Sequence, residues 1–232
     1  MSPDLFRSVD WVPFLLSVRL GLITAIILIP IGIAVGHWLA YTRTRMRYVV
    51  EWVTNLPLVL PPTVAGFYLL MLVGPQSAVG GWLSSRWGIQ LAFSFEGILF
   101  ASVLFNLPFM VSAIRSGFED LPSSWREQSF LLGRSEAYTL IRVLLPNMRS
   151  SIVQGFALCF ARTLGEFGIV MMIGGNLPGV TEVVSISIYN KVEAFRYEEA
   201  HAYSFILVLM SIVLLGVISG IGSIWKSRRE SI

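Results

Sequence analysis

EQSFLLGRSEAYTLIRVLLP, residues Glu127 to Pro146, is the longest interruption of apolar sequence in the middle of the chain, and the most basic. Three hydrophobic spans precede it and two follow. It reads as a helix, a turn and a second helix. Ser124 and Glu127 stand at capping-box spacing, in which the serine oxygen takes an orphan N–H and the glutamate reaches back. Gly133 is the break, because glycine accepts the left-handed backbone that ends a helix. Ala137, Leu140, Ile141, Leu144 and Leu145 then recur at helical spacing. Pro146 suits the first turn of a further helix, where a missing N–H costs nothing. Taken as residues alone, the stretch is a capped amphipathic linker.

The spans around it set the class. The chain has 232 residues, 55% hydrophobic and 13% charged, with a mean hydropathy of +0.71. Soluble domains are about 25% charged, so this composition belongs to an integral membrane protein. The apolar spans cover residues 12–40, 49–73, 97–114, 152–173 and 202–225. Each is near the roughly 20 residues that cross a bilayer core. The expectation is an all-α integral membrane protein of about five transmembrane helices. It forms a single transmembrane domain over 1–232, with a loop at 115–149. The single cysteine, Cys159, lies in an apolar run, and His37 and His201 are far apart, so no disulfide framework or Cys/His metal spacing exists. Membrane lipid is an implied partner, and nucleic acid is not.

Charge gives the orientation. The loops after spans one, three and five carry eleven Lys and Arg residues: Arg43, Arg45 and Arg47; Arg115, Arg126, Arg134, Arg142 and Arg149; Lys226, Arg228 and Arg229. The other side carries four, Arg7, Arg86, Lys191 and Arg196. The positive-inside rule then places the N-terminus outside, the C-terminus inside and the 115–149 loop in the cytoplasm.

Two places within the spans carry chemistry. Span two holds Asn55, Pro57, Pro61 and Pro62. Proline cannot donate a backbone hydrogen bond, and irregular backbone at membrane depth must face protein or a watery cavity. Irregular backbone is therefore expected at Pro57, Pro61 and Pro62, and at Pro108 in span three. For any one proline, a packing kink serves as well. Span four holds Arg162 and Glu166, four apart and so on one helix face. They read either as an internal ion pair or as a polar point on a route at a subunit interface. Gly165 and Gly168 beside them would allow close helix approach.

These stretches carry a family resemblance. Glu127, Gly133, Val143, Leu145 and Pro146 fall at the spacing of the EAA loop of ABC-importer permeases. Gln128 and Ser129 depart from its two alanines, and Val143 from its isoleucine. Asn55-Leu-Pro-Leu-Val-Leu-Pro-Pro-Thr-Val-Ala-Gly66 resembles a signature of molybdate-importer permeases. So do Ala161-Arg-Thr-Leu-Gly-Glu-Phe-Gly168 and Gly175-Asn-Leu-Pro-Gly179 with Thr181, Ile188 and Tyr189. The Arg-x-x-Gly-Glu-Phe-Gly element is shared with sulfate and tungstate permeases, so the resemblance points to tetrahedral oxyanions before it points to molybdate.

The resemblance implies a transport subunit and not an enzyme. Two copies would line one translocation path as a homodimer in the cytoplasmic (inner) membrane of a bacterium or archaeon. Two ABC ATPase subunits would dock on the coupling loop, and a periplasmic or lipid-anchored oxyanion-binding protein would deliver the anion. No cofactor is expected on this chain, because ATP and Mg²⁺ belong to the ATPase, and the sequence has no G-x-x-x-x-G-K-[ST] run. A sulfate or other oxyanion ABC permease is the first alternative, and a secondary transporter or channel that needs no ATPase is the alternative from a different class. Such proteins often carry internal repeats, and none is visible here. A membrane-embedded enzyme would need a richer polar constellation than Arg162 and Glu166.

Overall fold

The computed structural model describes residues 9–230, with side chains as far as residue 214. Arg7 therefore lies outside the described residues, as do the side chains of Lys226, Arg228 and Arg229. The chain is all helical among the described residues. In order the elements are α1 (Val12–Tyr41), α2 (Met46–Val59), α3 (Pro62–Val73), α4 (Ala78–Trp87), α5 (Phe95–Glu119), α6 (Ser123–Leu131) and α7 (Glu136–Thr139). A π-helical segment (Leu140–Leu144) follows, then α8 (Leu145–Asn147), α9 (Arg149–Leu164), α10 (Gly168–Gly174), α11 (Val184–Glu193) and α12 (Tyr197–Glu230).

The core is a trio of helices, α1, α5 and α9, brought close by glycines. A Cβ on Gly32 would stand 2.5 Å from Met110 Cγ, and one on Gly36 would stand 3.1 Å from the backbone nitrogen of Arg115. Gly155 of α9 meets the Met110 sulfur in the same way, and Gly21 of α1 meets the Phe160 ring. Small residues let helix backbones approach where lipid offers no hydrophobic drive for association. Ala25, Leu28, Met110, Ile114, Phe160 and Leu164 fill the space between the three. A second cluster, including Leu20, Ile98, Ile169, Ile173 and Ile186, holds α10 and α11 against α1 and α5.

Among the described residues, three helices are long and apolar enough to cross a membrane, and five spans result if each of two bent pairs counts as one. The pair α2 and α3 bends by 112°, and the pair α9 and α10 by 62°. The first bend follows from adjacent prolines. Each pushes the residue before it into extended backbone, and Leu60 (ψ 132°) and Pro61 (ψ 135°) both adopt it. The second bend falls at Gly165-Glu166-Phe167, between two glycines that weaken helix propensity.

Two expectations are corrected by these bends. Pro57 and Pro108 lie inside α2 and α5, which run on through them. A lone proline removes one backbone bond, and the flanking turns hold the helix. Arg162 and Glu166 do not share a helix face, because α9 ends at Leu164 and Glu166 lies in the break.

Candidate functional site

The expected loop at 115–149 begins later, because α5 runs on to Glu119, and the remainder folds as a hairpin of helices. The expected capping box at Ser124 and Glu127 is absent. Helix α6 starts two residues earlier, with Pro122 and not Ser124 at its N-cap position, and no side chain caps it. Pro122 holds extended backbone there (φ −58°, ψ 128°), which moves both serines into the first turn. The second helix is capped by Ser135, whose oxygen accepts from the Tyr138 N–H at 3.2 Å. Gly133 takes φ +71° and is the break that glycine permits.

Helix α6 is tied to α7 by a buried bond between Ser129 and Thr139, 2.7 Å between hydroxyl oxygens. Ser129, a departure from the EAA pattern, is thus the residue that joins the two helices. Arg126 adds an ion pair to Glu136 at 3.0 Å. Val143 lies in the π-helical segment, where its carbonyl accepts from Asn147 Nδ2 at 2.7 Å. The π segment precedes Pro146, which occupies the first turn of α8. Leu144 is buried and Leu145 half-buried against the core, which anchors the second helix from below.

Glu127 is exposed on α6. Beside it, Leu131 (87% exposed) and Leu132 (77% exposed) form an apolar knuckle just before the Gly133 turn, with Phe130, Tyr138 and Ile141 around it. Sequence reasoning passed over this knuckle. Its signal was Phe-Leu-Leu-Gly at a helix end, a contiguous apolar run outside the periodic pattern.

The two broken spans meet each other. Helix α10 packs on α3, and a Cβ on Gly168 would stand 3.0 Å from Pro62 Cβ. A cavity of about 410 Å³ opens where they meet, lined by Pro62, Phe105, Ala161, Arg162, Gly165, Glu166, Phe167 and Gly168. The structure thus gathers five of the expected residues, Pro62, Arg162, Gly165, Glu166 and Gly168. Pro61 adjoins them in the bend. Gly165 is open to the cavity and does not mediate a close approach. Asn55 and Pro57 are elsewhere, before the bend.

Arg162 and Glu166 face different partners. The Arg162 guanidinium lies 3.9 Å from the centroid of the Phe109 ring. Glu166 is buried and accepts from Asn106 Nδ2 at 3.0 Å. No ion pair joins Arg162 to Glu166 among the described residues. The ion-pair reading is therefore set aside: the helix break at Gly165 turns the two side chains apart.

Asn55 lines a second cavity, about 200 Å³, with Glu51, Thr54, Ser112 and Arg115. Arg115 bridges Glu51 of α2 at 2.7 Å and Glu119 of α5 at 2.8 Å. This bridge fastens the first half of the bent span to the core.

Residues 28–229 match the family of binding-protein-dependent transport system inner membrane components. The chain belongs to this family. The permease is 39% identical over 201 residues to the molybdenum transport system permease protein ModB of Azotobacter vinelandii, covering 86% of this chain and 88% of that one. It is 32% identical over 197 residues to the sulfate transport system permease protein CysT of Escherichia coli K12, covering 83% of this chain and 71% of that one. Its fold matches a solved bacterial ABC transporter involved in alginate import, with a TM-score of 0.77 at 14% identity over 96% of this chain and 84% of that one. The permease is thus an inner-membrane transport component with the helical fold of ABC transporters.

Proposed function

We propose that this chain is the permease subunit of an ATP-driven importer for molybdate, with tungstate as a close analogue. The observation that carries the substrate is the 39% identity with a molybdenum permease, sustained over most of both chains. The cavity at the two breaks supports an anion. Arg162 lines it, and the 12-residue helix α3 begins there, presenting the N-terminal end of its dipole.

Two copies would bring two such cavities together on one path, each facing the other across the exposed sides of α2 and α3. The loop containing Glu127, Gly133 and the Leu131–Leu132 knuckle would be the cytoplasmic surface on which two ATPase subunits dock. A binding protein would deliver the anion at the opposite end. Sulfate is the second reading, favoured by the similarity to CysT.

The test is uptake of labelled molybdate, with excess tungstate or sulfate as competitor. Inhibition by tungstate alone is the expected result, and inhibition by sulfate would move the substrate to the second reading. Docking has a separate test. Glu127→Lys should weaken co-purification of the ATPase without changing membrane insertion, because Glu127 is exposed and holds no part of the fold together. Undiminished co-purification would sink the docking assignment.

A further inference from the structure

Glu166 is 8% exposed, at the break between α9 and α10. A buried ionised carboxylate needs a counter-charge or a full set of hydrogen bonds. Every element packed around it contributes a neighbour. From α5 come Phe105, which lines the same cavity, and Asn106. From α9 come Arg162, which stacks on Phe109, and Cys159, whose thiol lies 3.6 Å from the Asn106 backbone oxygen. From α11, Ser185 donates to the Glu166 backbone oxygen at 2.6 Å. From α3, Pro62 and Thr63 abut Gly168. Arg162 is the one charged group of this set, Cys159 the one other titratable group, and neither pairs with the carboxyl.

Asn106 Nδ2 donates to Glu166 Oε2 at 3.0 Å and to the Ser102 backbone oxygen at 2.9 Å. That uses both amide hydrogens. Two buried oxygens of the same two side chains are left without a donor, Glu166 Oε1 and Asn106 Oδ1. Leaving one such group bare is costly, and more so if it is charged. A single proton on Oε1 would relieve both, if it is given to Oδ1. The carboxylic O–H would then donate to Oδ1 beside the amide N–H that donates to Oε2, so that acid and amide would face each other through two hydrogen bonds.

We propose that Glu166 is a proton-binding site, held as the neutral acid and paired with Asn106, so that Arg162 is the uncompensated charge on the cavity. The proposal rests on the oxyanion reading for its consequence but not for its chemistry. An ionised Glu166 would cancel Arg162 and repel a dianion. A protonated Glu166 leaves each subunit with one net positive charge where the two spans break. It also tethers the break in span four to α5. Raising the pH until Oε1 loses its proton breaks the O–H···O bond and adds a negative charge to the path, so uptake falls as pH rises.

The experiment is infrared spectroscopy of the permease in its intact transporter, combined with uptake across pH. The native protein should show a protonated-carboxyl carbonyl band at neutral pH that Glu166→Gln lacks. Glu166→Gln uptake should no longer fall as pH rises. If that variant does not accumulate, Asn106→Ser should shift the same band by removing its partner. Absence of the band from the native protein would overturn the proposal. So would loss of uptake in Glu166→Gln that is restored by adding Arg162→Gln, the signature of an ion pair. Stabilisation by sodium ions that Glu166→Gln abolishes would replace the proton with a cation and also overturn it. If the band is present but no oxyanion is transported, the proton site stands and the substrate reading fails.

Discussion

The guanidinium of Arg126, on the first loop helix, lies 4.5 Å from the ring centroid of Tyr41, at the end of the first span. The same guanidinium lies 5.2 Å from the Phe130 ring and pairs with Glu136 on the second loop helix. The Tyr41 hydroxyl in turn reaches the Phe118 carbonyl of α5 at 3.5 Å. One cation thus joins both helices of the loop to α1, and through Tyr41 to α5. A rigid loop needs such a tie if force applied to it is to reach the spans.

Arg126→Ala should therefore loosen the loop without unfolding the bundle. A cation–π contact is worth about 0.5–2 kcal/mol, and an exposed ion pair about 0–1 kcal/mol. The loss is too small to unfold a membrane bundle but large enough to raise local opening several-fold. Hydrogen exchange over residues 123–139 should quicken, with the bundle unchanged. Arg126→Lys should be intermediate, because lysine keeps the charge but not the planar fork. Native exchange rates in Arg126→Ala would show that the loop is held by something else.

Gly133 makes a sharper prediction, because its constraint is conformational and not steric. Its φ is +71°, and a Cβ there would meet nothing within 4 Å. Asparagine tolerates the left-handed region and β-branched residues do not. Gly133→Asn should be nearly silent, while Gly133→Val should cost on the order of 1–3 kcal/mol and displace the Leu131–Leu132 knuckle. Thermal unfolding of the two variants separates these effects. Equal losses for both would mean that bulk, and not backbone angle, is what the site rejects.

How far the sequence could be read depended on whether the physics was local. Gly133, Pro146 and the extent of α1 follow from propensity and hydropathy, and each has its cause within a few residues, whereas α5 runs past its apolar window at 114 to Glu119. The double bend at Pro61 and Pro62 was legible as a place of irregular backbone, since each proline acts on its own neighbour. The roles of Ser129 and Arg162 were not legible. Ser129 finds its partner ten residues away across a turn, and Arg162 finds Phe109 on another helix. Spacing of four suggested that Arg162 and Glu166 face each other, and the suggestion failed because Gly165 ends the helix between them. Asn106, the actual partner of Glu166, lies 60 residues away and no local pattern pairs the two.

Ser129 offers a test in which a visible contact should matter little. Its hydroxyl bonds to Thr139 Oγ1, yet Thr139 Oγ1 also bonds to the Ser135 carbonyl at 3.0 Å. Removing Ser129 Oγ therefore leaves no orphaned group. A hydrogen bond lost without an orphan costs about 0.5–1.5 kcal/mol at most. Ser129→Ala, which restores the alanine of the EAA pattern, should shift the unfolding temperature only slightly. Ser129→Leu should do more harm, because the site is buried and would have to force α6 and α7 apart. A large loss in Ser129→Ala would mean that the hydroxyl pair specifies the hairpin.

The contact of Gly32 with Met110 sets the spacing of the first and third spans, and it can be tested by a paired change. A Cβ at Gly32 would stand 2.5 Å from Met110 Cγ, which is closer than side-chain carbons come. Met110 is fully buried, between α1 and α9, and its sulfur is also close to Gly155. It cannot swing away without striking a second glycine. Gly32→Ala should therefore destabilise the bundle by about 1–3 kcal/mol, the range for overpacking a tight core. Met110→Ala alone should also destabilise, by leaving a cavity. The two changes together should be less harmful than the sum of the singles, because the new methyl occupies part of the space the methionine vacates. The measurement is a double-mutant cycle on unfolding of the detergent-solubilised permease. Strict additivity would show that α1 and α5 separate under the single change, and that the glycine does not fix their distance.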